Sequence, residues 1–92
     1  MSQSVTFVEC IWHDAHSDTN SWIEPEDIDQ EPCVVITCGI LLADAKEGHV
    51  VIAQSANSYG AVDSVLAVPV AMVRSLRVVS NGTPYPSTAV QE

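Results

Sequence analysis

The stretch HDAHSD, which begins at His13, holds the side chains best suited to chemistry, since it packs two imidazoles and two carboxylates into six residues. Imidazole nitrogens and carboxylate oxygens are zinc ligands, so His13, Asp14 and His16 form one candidate metal site. A further ligand would have to come from Asp18 or the distant His49. The stretch has neither the H-E-x-x-H spacing nor the glycine of a calcium loop. We therefore expect a polar loop without metal, with a metal-dependent hydrolase centred on His13, Asp14 and His16 as the alternative.

The candidate nucleophiles are Ser17 and the cysteines. Ser17 follows His16, but catalytic triads are assembled in space on rigid supports and seldom from consecutive loop residues. Cys10 and Cys38 lie within strand-like segments, where thiols are usually inert. An odd number of cysteines without a C-x-x-C pair predicts small core hydrophobes in a reducing cytoplasm. The sequence therefore predicts a protein that is not an enzyme and needs no cofactor.

Charge is distributed unevenly along the chain. The 92 residues include 12 acids against 3 lysines and arginines, for a net charge of −9. Most of the acids precede Lys46, the first base, and make residues 13–32 a strongly negative loop. A negative field repels phosphate backbones, so nucleic acid is not an expected partner. A basic protein surface is favoured instead, and a solvated acidic face without a partner is the alternative.

A few aromatic and charged residues could form a binding surface. Trp22 and Tyr59 lie in two different loops, and aromatic residues at such places are enriched in recognition surfaces. Trp22 could instead anchor its loop by packing back onto the fold. The two arginines could pair with acids of a neighbouring subunit or grip a small anionic ligand as fork donors. The candidate binding residues are Trp22, Glu26, Asp27, Asp29, Tyr59, Arg74 and Arg77.

The segments that must position these residues alternate in hydropathy with a period of two, which is typical of strands. SVTFVECIW, residues 4–12, is typical of a strand with one largely buried side, and its two faces carry Val5, Phe7, Glu9 and Ile11, and Thr6, Val8, Cys10 and Trp12, respectively. CVVITCGILLAD and HVVIAQS, joined by the turn AKEG, predict a hairpin over residues 33–55. Gly39 inside it predicts a sharp bend. VLAVP and VAMVRSLRVV predict two more strands, with PVAM as one 3₁₀ turn between them.

These segments fit one domain. A chain of 92 residues can bury one modest core. We predict a single β-barrel domain over residues 1–79, with the acidic loop at 13–32 and a short helical turn opened by Pro25, followed by a mobile tail at 80–92. The opening residues carry no base, and the longest nearly apolar run is about half a membrane span. A cytoplasmic protein that does not enter membranes is expected.

The order of these segments resembles the Sm-like small β-barrel over residues 32–79. The resemblance is carried by TCGILLAD, HVVIAQS and VLAVPVAMVRSL. It implies a mainly β fold, a small and strongly bent antiparallel β-barrel (Sm-like or SH3-like) of about five strands with a short 3₁₀ turn before the last. An N-terminal helix is usual in that family, whereas SVTFVECIW is strand-like. RNA-binding members use basic, Asn-bearing loops; Asn57 lies in a loop here, but the loops are acidic or neutral, so RNA binding is not implied.

The whole chain is also similar to a group of small proteins of tailed bacteriophages. The shared features are WHDA at residues 12–15, an acidic stretch ending in Glu31-Pro32, and PVAMVRS at residues 69–75. The resemblance implies an accessory protein in the host cytoplasm, with no activity attached.

Self-association is expected from the strands themselves. Short apolar strands such as VLAVP and RSLRVV leave edges that another chain can pair, which predicts a homo-oligomer. We therefore predict a homo-oligomeric binding protein that engages a host protein through its acidic loop or captures a small anionic ligand. A structural subunit of a particle is the remaining alternative.

Overall fold

The chain forms a single sheet of five antiparallel strands. The computed structural model describes residues 4–17 and 22–84. The strands are β1 (Ser4–Asp14), β2 (Cys33–Leu41), β3 (His49–Ala56), β4 (Val62–Pro69) and β5 (Val73–Pro84), in the order β4-β3-β2-β1-β5. Two short 3₁₀ turns, η1 (Pro25–Asp27) and η2 (Val70–Met72), precede β2 and β5. The predictions of a mainly β fold, of five antiparallel strands and of a 3₁₀ turn before the last strand are confirmed.

The main cluster of buried residues lies on one side of the sheet, which we call the inner face. Val8, Cys10 and Trp12 alternate along β1 and are buried there together with Ile52 of β3 and Val68 of β4. Alternate residues of a strand point to opposite faces, so the intervening residues of β1 point to the outer face. The sequence predicted one largely buried side for this strand without assigning it, and the core uses the side of Val8, Cys10 and Trp12.

Gly39 lies where β2 acquires its second neighbour. β2 pairs with β1 along most of its length but with β3 only through Ile40 and Leu41. A Cβ atom built on Gly39 would lie 2.6 Å from the carbonyl oxygen of Ala53 and 2.7 Å from Cγ2 of Ile52. Only a residue without a side chain leaves room for β3 to approach β2 so closely.

The sheet is not closed. Among residues 4–17 and 22–84, β4 and β5 are the two ends of the strand order and do not pair with each other. They are linked by η2, whose first residue, Val70, donates its N–H to the carbonyl oxygen of Gly48 at 3.0 Å. The structure therefore shows an open antiparallel sheet, and the predicted closure into a barrel is not confirmed.

β5 is longer than its sequence pattern suggested. The strand continues past residue 79, the predicted end of the domain, because Ser4 and Val5 at the start of β1 pair with Pro84 and Thr83. Three register shifts interrupt the β1–β5 ladder. Such bulges insert unpaired residues, which explains the imperfect alternation of VAMVRSLRVV. The rest of the predicted tail, residues 85–92, lies outside the described residues.

No helix in the described ranges is both long and apolar enough to cross a membrane.

Candidate functional site

The histidines and acids of HDAHSD do not come together as a ligand set. His13 and Asp14 are the last residues of β1, whereas His16 follows in the exposed loop. Nδ1 of His13 accepts a hydrogen bond from Nε of Arg74 at 3.3 Å. In the described part of the chain, no three His, Cys, Asp or Glu side chains gather closely enough to hold a metal ion. Asp18, a further candidate ligand, lies outside the described residues.

Both arginines are engaged by groups of their own chain. Arg77 lies directly across from Glu9 in the β1–β5 ladder. Its Nη2 is 3.2 Å from Oε2 of Glu9 and its Nε is 3.5 Å from Oε1, a two-point contact on the outer face. Besides its bond to His13, Arg74 donates from Nη1 to the carbonyl oxygen of Ala71 at 3.2 Å. A small anion would have to compete with these partners, which weighs against capture by the arginines.

The acidic segment, residues 22–32, projects from the sheet. Every residue in it is exposed, and Trp22 is 100% exposed, so its indole does not pack back onto the fold. Local hydrogen bonds occur within it; for example, the N–H of Glu31 donates to Oδ1 of Asp29 at 3.0 Å. The predicted helical turn at Pro25 is present as η1. The segment places four of the candidate binding residues on one exposed stretch, namely Trp22, Glu26, Asp27 and Asp29.

The loop between β3 and β4 is organised by Asn57. Oδ1 of Asn57 accepts hydrogen bonds from the backbone N–H groups of Tyr59, at 2.9 Å, and Ala61, at 3.0 Å. The amide oxygen of Asn57 is therefore used to hold a turn. Tyr59 is exposed at the tip of this loop. A hollow of about 140 Å³ beneath it, lined by residues 55–57 and 61–63, is smaller than the roughly 300 Å³ at which ligand pockets begin.

Both end strands expose apolar side chains, β4 on both of its faces and β5 on its inner face. On β5, Leu76 and Val78 pair with core residues of β1 and point to the inner face, yet they are 44% and 54% exposed. On β4, Val65 and Leu66 point to opposite faces and both are exposed. Strands of antiparallel sheets normally bury one face. The two ends of the sheet therefore combine exposed apolar side chains with backbone edges that no other strand of residues 4–17 and 22–84 pairs with.

Two features of the site were missed by sequence reasoning. Val34 and Ile36 of β2 were read as part of an apolar strand, but they lie on the outer face and are 55% and 64% exposed. The alternation of CVVITC, in which both sets include apolar residues, does not reveal which set faces the core. The second feature is the hydrogen bond that the indole N–H of Trp12 donates to the hydroxyl oxygen of Thr37, across the inner face.

The cysteines differ in environment. Cys10 is fully buried in the core, and burial raises the pKa of its thiol because the thiolate would lose its hydration. Cys33 is half-buried, and Cys38 is exposed on the outer face, opposite Glu9. The interpretation of the cysteines as core hydrophobes is right for Cys10 and wrong for Cys38, because the register of β2 turns Cys38 away from the core.

Comparisons with protein-family models, curated proteins and solved structures found no match to this chain. The candidate site is therefore defined by the geometry of the chain itself.

Proposed function

We propose that the protein is a non-enzymatic binding protein that assembles with copies of itself through β4 and β5 and presents its acidic segment to a basic partner protein. The observation that carries the proposal is the exposure of apolar side chains on the two end strands, beside edges that no other described strand pairs with. Long, apolar, unpaired edges are templates for pairing with another chain. Assembly would bury them.

Head-to-tail pairing of β4 of one copy with β5 of the next would cover both ends at once. Such a contact is heterologous, so it closes into a ring when the rotation between copies allows. The exposed side chain of Leu66 in one copy would then lie beside the exposed side chains of Leu76 and Val78 in the neighbouring copy. In the proposed arrangement, β4 of one copy and β5 of the next would together close the open sheet in the manner of an Sm-like barrel. Ser64, with a positive φ of 55°, interrupts the extended backbone of β4, so the edge available for pairing is Val65–Pro69.

The acidic segment supplies the second part of the proposal. Trp22 offers a fully exposed aromatic surface next to several acids, and this combination suits a basic protein surface with an apolar pocket. For an accessory protein of a tailed bacteriophage, such a partner would be a protein of the host cytoplasm. The support for a bacteriophage origin is the pair of motifs WHDA and PVAMVRS.

The assembly is tested by mixing two edge variants at low micromolar concentration. Leu66→Lys blocks the β4 edge and Val78→Lys blocks the β5 edge, since lysine is a residue that natural edges use against pairing. Light scattering should show an oligomer for the wild type and monomers for each variant alone. The 1:1 mixture should form a dimer, because the intact β5 edge of Leu66→Lys can pair with the intact β4 edge of Val78→Lys. Tyr59→Lys, which places the same charge on a loop, should leave the oligomer intact.

Two outcomes would contradict the proposal. A wild-type species of 9.9 kDa at these concentrations would remove self-assembly altogether. Dimers formed by each variant alone would show that like edges pair with like, which excludes the head-to-tail arrangement. Circular dichroism of each variant establishes that the sheet is retained before the masses are compared.

A further inference from the structure

The middle strand of the sheet exposes apolar side chains on the side away from the core. β2 is the third of five strands, and its outward-facing Val34 and Ile36 are more than half exposed. They lie directly across from His13 and Ile11 of β1. The solvated face of an antiparallel sheet is normally polar. An apolar strip at the centre of a sheet therefore indicates a surface that another molecule covers.

Charge distinguishes this surface from the rest of the protein. The outer face of β1, β2 and β5 carries Arg77 and the guanidinium of Arg74, which bonds to His13, against the single acid Glu9. The chain as a whole has a net charge of −9 and only 3 lysines and arginines. Two of its three bases are therefore gathered on one face. Among the described strands, this is the face that would bring few carboxylates of one copy against the other.

We infer that a second copy of this chain packs back to back on the outer face. The face is self-complementary: across a two-fold axis, the apolar strip of Ile11, Val34 and Ile36 meets its own equivalent. The same axis sets Glu9 of one copy near Arg77 of the other. An axis oblique to the strands satisfies both contacts, and two sheets packed in this way lie about 10 Å apart. The contact is isologous and closes after two copies.

The size of the face sets the strength of the contact. Three strands spaced by about 4.8 Å, over the roughly 26 Å that eight paired residues span, give a face of about 400 Å², which is about half of the roughly 800 Å² per partner of a standard interface. The back-to-back dimer is therefore weak on its own. It is reinforced when several copies are joined by their edges, because each further back-to-back contact then forms within one assembly. Back-to-back packing does not depend on edge pairing. The light-scattering test of edge pairing is run at low micromolar concentration, where the weak back-to-back dimer of isolated copies does not form. Either proposal can therefore fail without the other.

Cys38 provides a direct readout, since its exposed thiol lies on the outer face. The rate of Cys38 alkylation by a bulky maleimide is followed by peptide mass spectrometry in the Leu66→Lys background, in which edge pairing is blocked, as the protein concentration rises from low to high micromolar. The rate should fall several-fold in this background and stay constant when Val34→Thr and Ile36→Thr are added, whose β-branched residues retain strand propensity. Adding Tyr59→Lys, outside the face, should leave the concentration dependence unchanged. A rate that does not depend on concentration in the Leu66→Lys background overturns the inference.

A charge exchange tests the orientation of the two copies. Sedimentation is measured at high micromolar concentration in the Leu66→Lys background, in which the β4 edge is blocked. Adding Arg77→Glu should abolish the dimer, because it leaves two acids facing each other on each copy and across the axis. Combining Glu9→Arg with Arg77→Glu should restore it. Back-to-back packing is contradicted if the Leu66→Lys variant alone is monomeric at every concentration. It is also contradicted if Arg77→Glu does not weaken the dimer.

Discussion

Trp12 donates its indole N–H to the hydroxyl oxygen of Thr37 across the inner face, at 3.0 Å. The indole is buried in the core, so this bond satisfies a donor that water reaches poorly. Thr37→Val should lower the free energy of unfolding by about 1 to 3 kcal/mol, because the valine fills the same volume but leaves the indole N–H without an acceptor. Urea denaturation followed by tryptophan fluorescence measures the loss.

Two matched variants separate the hydrogen bond from the change in shape. Thr37→Ser keeps the hydroxyl and should retain more of the stability than Thr37→Val. Thr6→Val makes the same substitution at an exposed hydrogen bond to Asn81, 2.8 Å long, and should cost no more than about 0.5 kcal/mol. Equal losses for Thr37→Val and Thr6→Val would show that the indole contact does not stabilise the fold.

Gly39→Ala should be strongly destabilising. The added methyl group would meet the backbone oxygen of Ala53 at 2.6 Å, so β3 would have to move away from β2. We expect a loss of about 1 to 3 kcal/mol or more, the usual cost of overpacking. The comparison is Gly48→Ala, where a Cβ meets nothing within 4 Å and only the positive φ of 73° is unfavourable. Thermal unfolding that ranks Gly48→Ala as the more damaging would contradict this role for Gly39.

Local patterns predicted much of the fold. The alternation of SVTFVECIW identified β1 as a strand, and the turn AKEG located the hairpin, because both signals are carried by adjacent residues. The contact of Arg77 with Glu9 could not be predicted, since it depends on a register between strands 68 residues apart that three bulges modify. The exposure of Cys38 escaped prediction because its strand is apolar on both faces.

The buried thiol of Cys10 should make the protein less stable at alkaline pH. Its pKa is raised in the folded state by burial, so above the ordinary value of 9.0 the unfolded chain loses this proton before the folded chain does. The Cys10 thiol does not change the free energy of unfolding at pH values well below 9.0. As the pH rises above 9.0, the free energy of unfolding falls by at most about 1.4 kcal/mol per pH unit. The loss stops once the pH exceeds the folded-state pKa.

The contribution of Cys10 is isolated by substitution. Urea denaturation between pH 7 and 10.5 should show a steeper decline for the wild type than for Cys10→Ala, even though the cavity makes that variant less stable throughout. Cys38→Ala, at an exposed thiol, should follow the wild-type slope. Parallel curves for the wild type and Cys10→Ala would mean that the Cys10 thiol does not control the alkaline transition.

Reversing the charge of the acidic segment should abolish binding of a basic partner while leaving the fold intact. The triple variant Glu26→Lys, Asp27→Lys, Asp29→Lys alters exposed side chains around η1 and removes the negative field near Trp22. Pull-downs from host lysate at low salt, compared with the wild type, should lose the captured protein, and wild-type capture should weaken steeply as salt is added.

Two further variants define how that partner is held. Trp22→Ala should weaken capture while preserving its dependence on salt, because it removes apolar contact area and no charge. Arg74→Ala, on the outer face, should leave capture unchanged. Capture that survives the triple reversal, or that disappears with Arg74→Ala alone, would place the contact away from the acidic segment.

The position of β1 between β2 and β5 also governs how the chain reaches its fold. β2 follows β1 closely, but the other side of β1 is completed by a strand about 60 residues later, and Thr6 bonds to a residue 75 positions away. Contacts of such sequence separation slow folding. On a ribosome adding about 5 to 20 residues per second, the apolar edge of β1 would remain unpaired for roughly 3 to 12 seconds. The nascent chain should therefore depend on chaperones during synthesis more than the small size of the domain suggests.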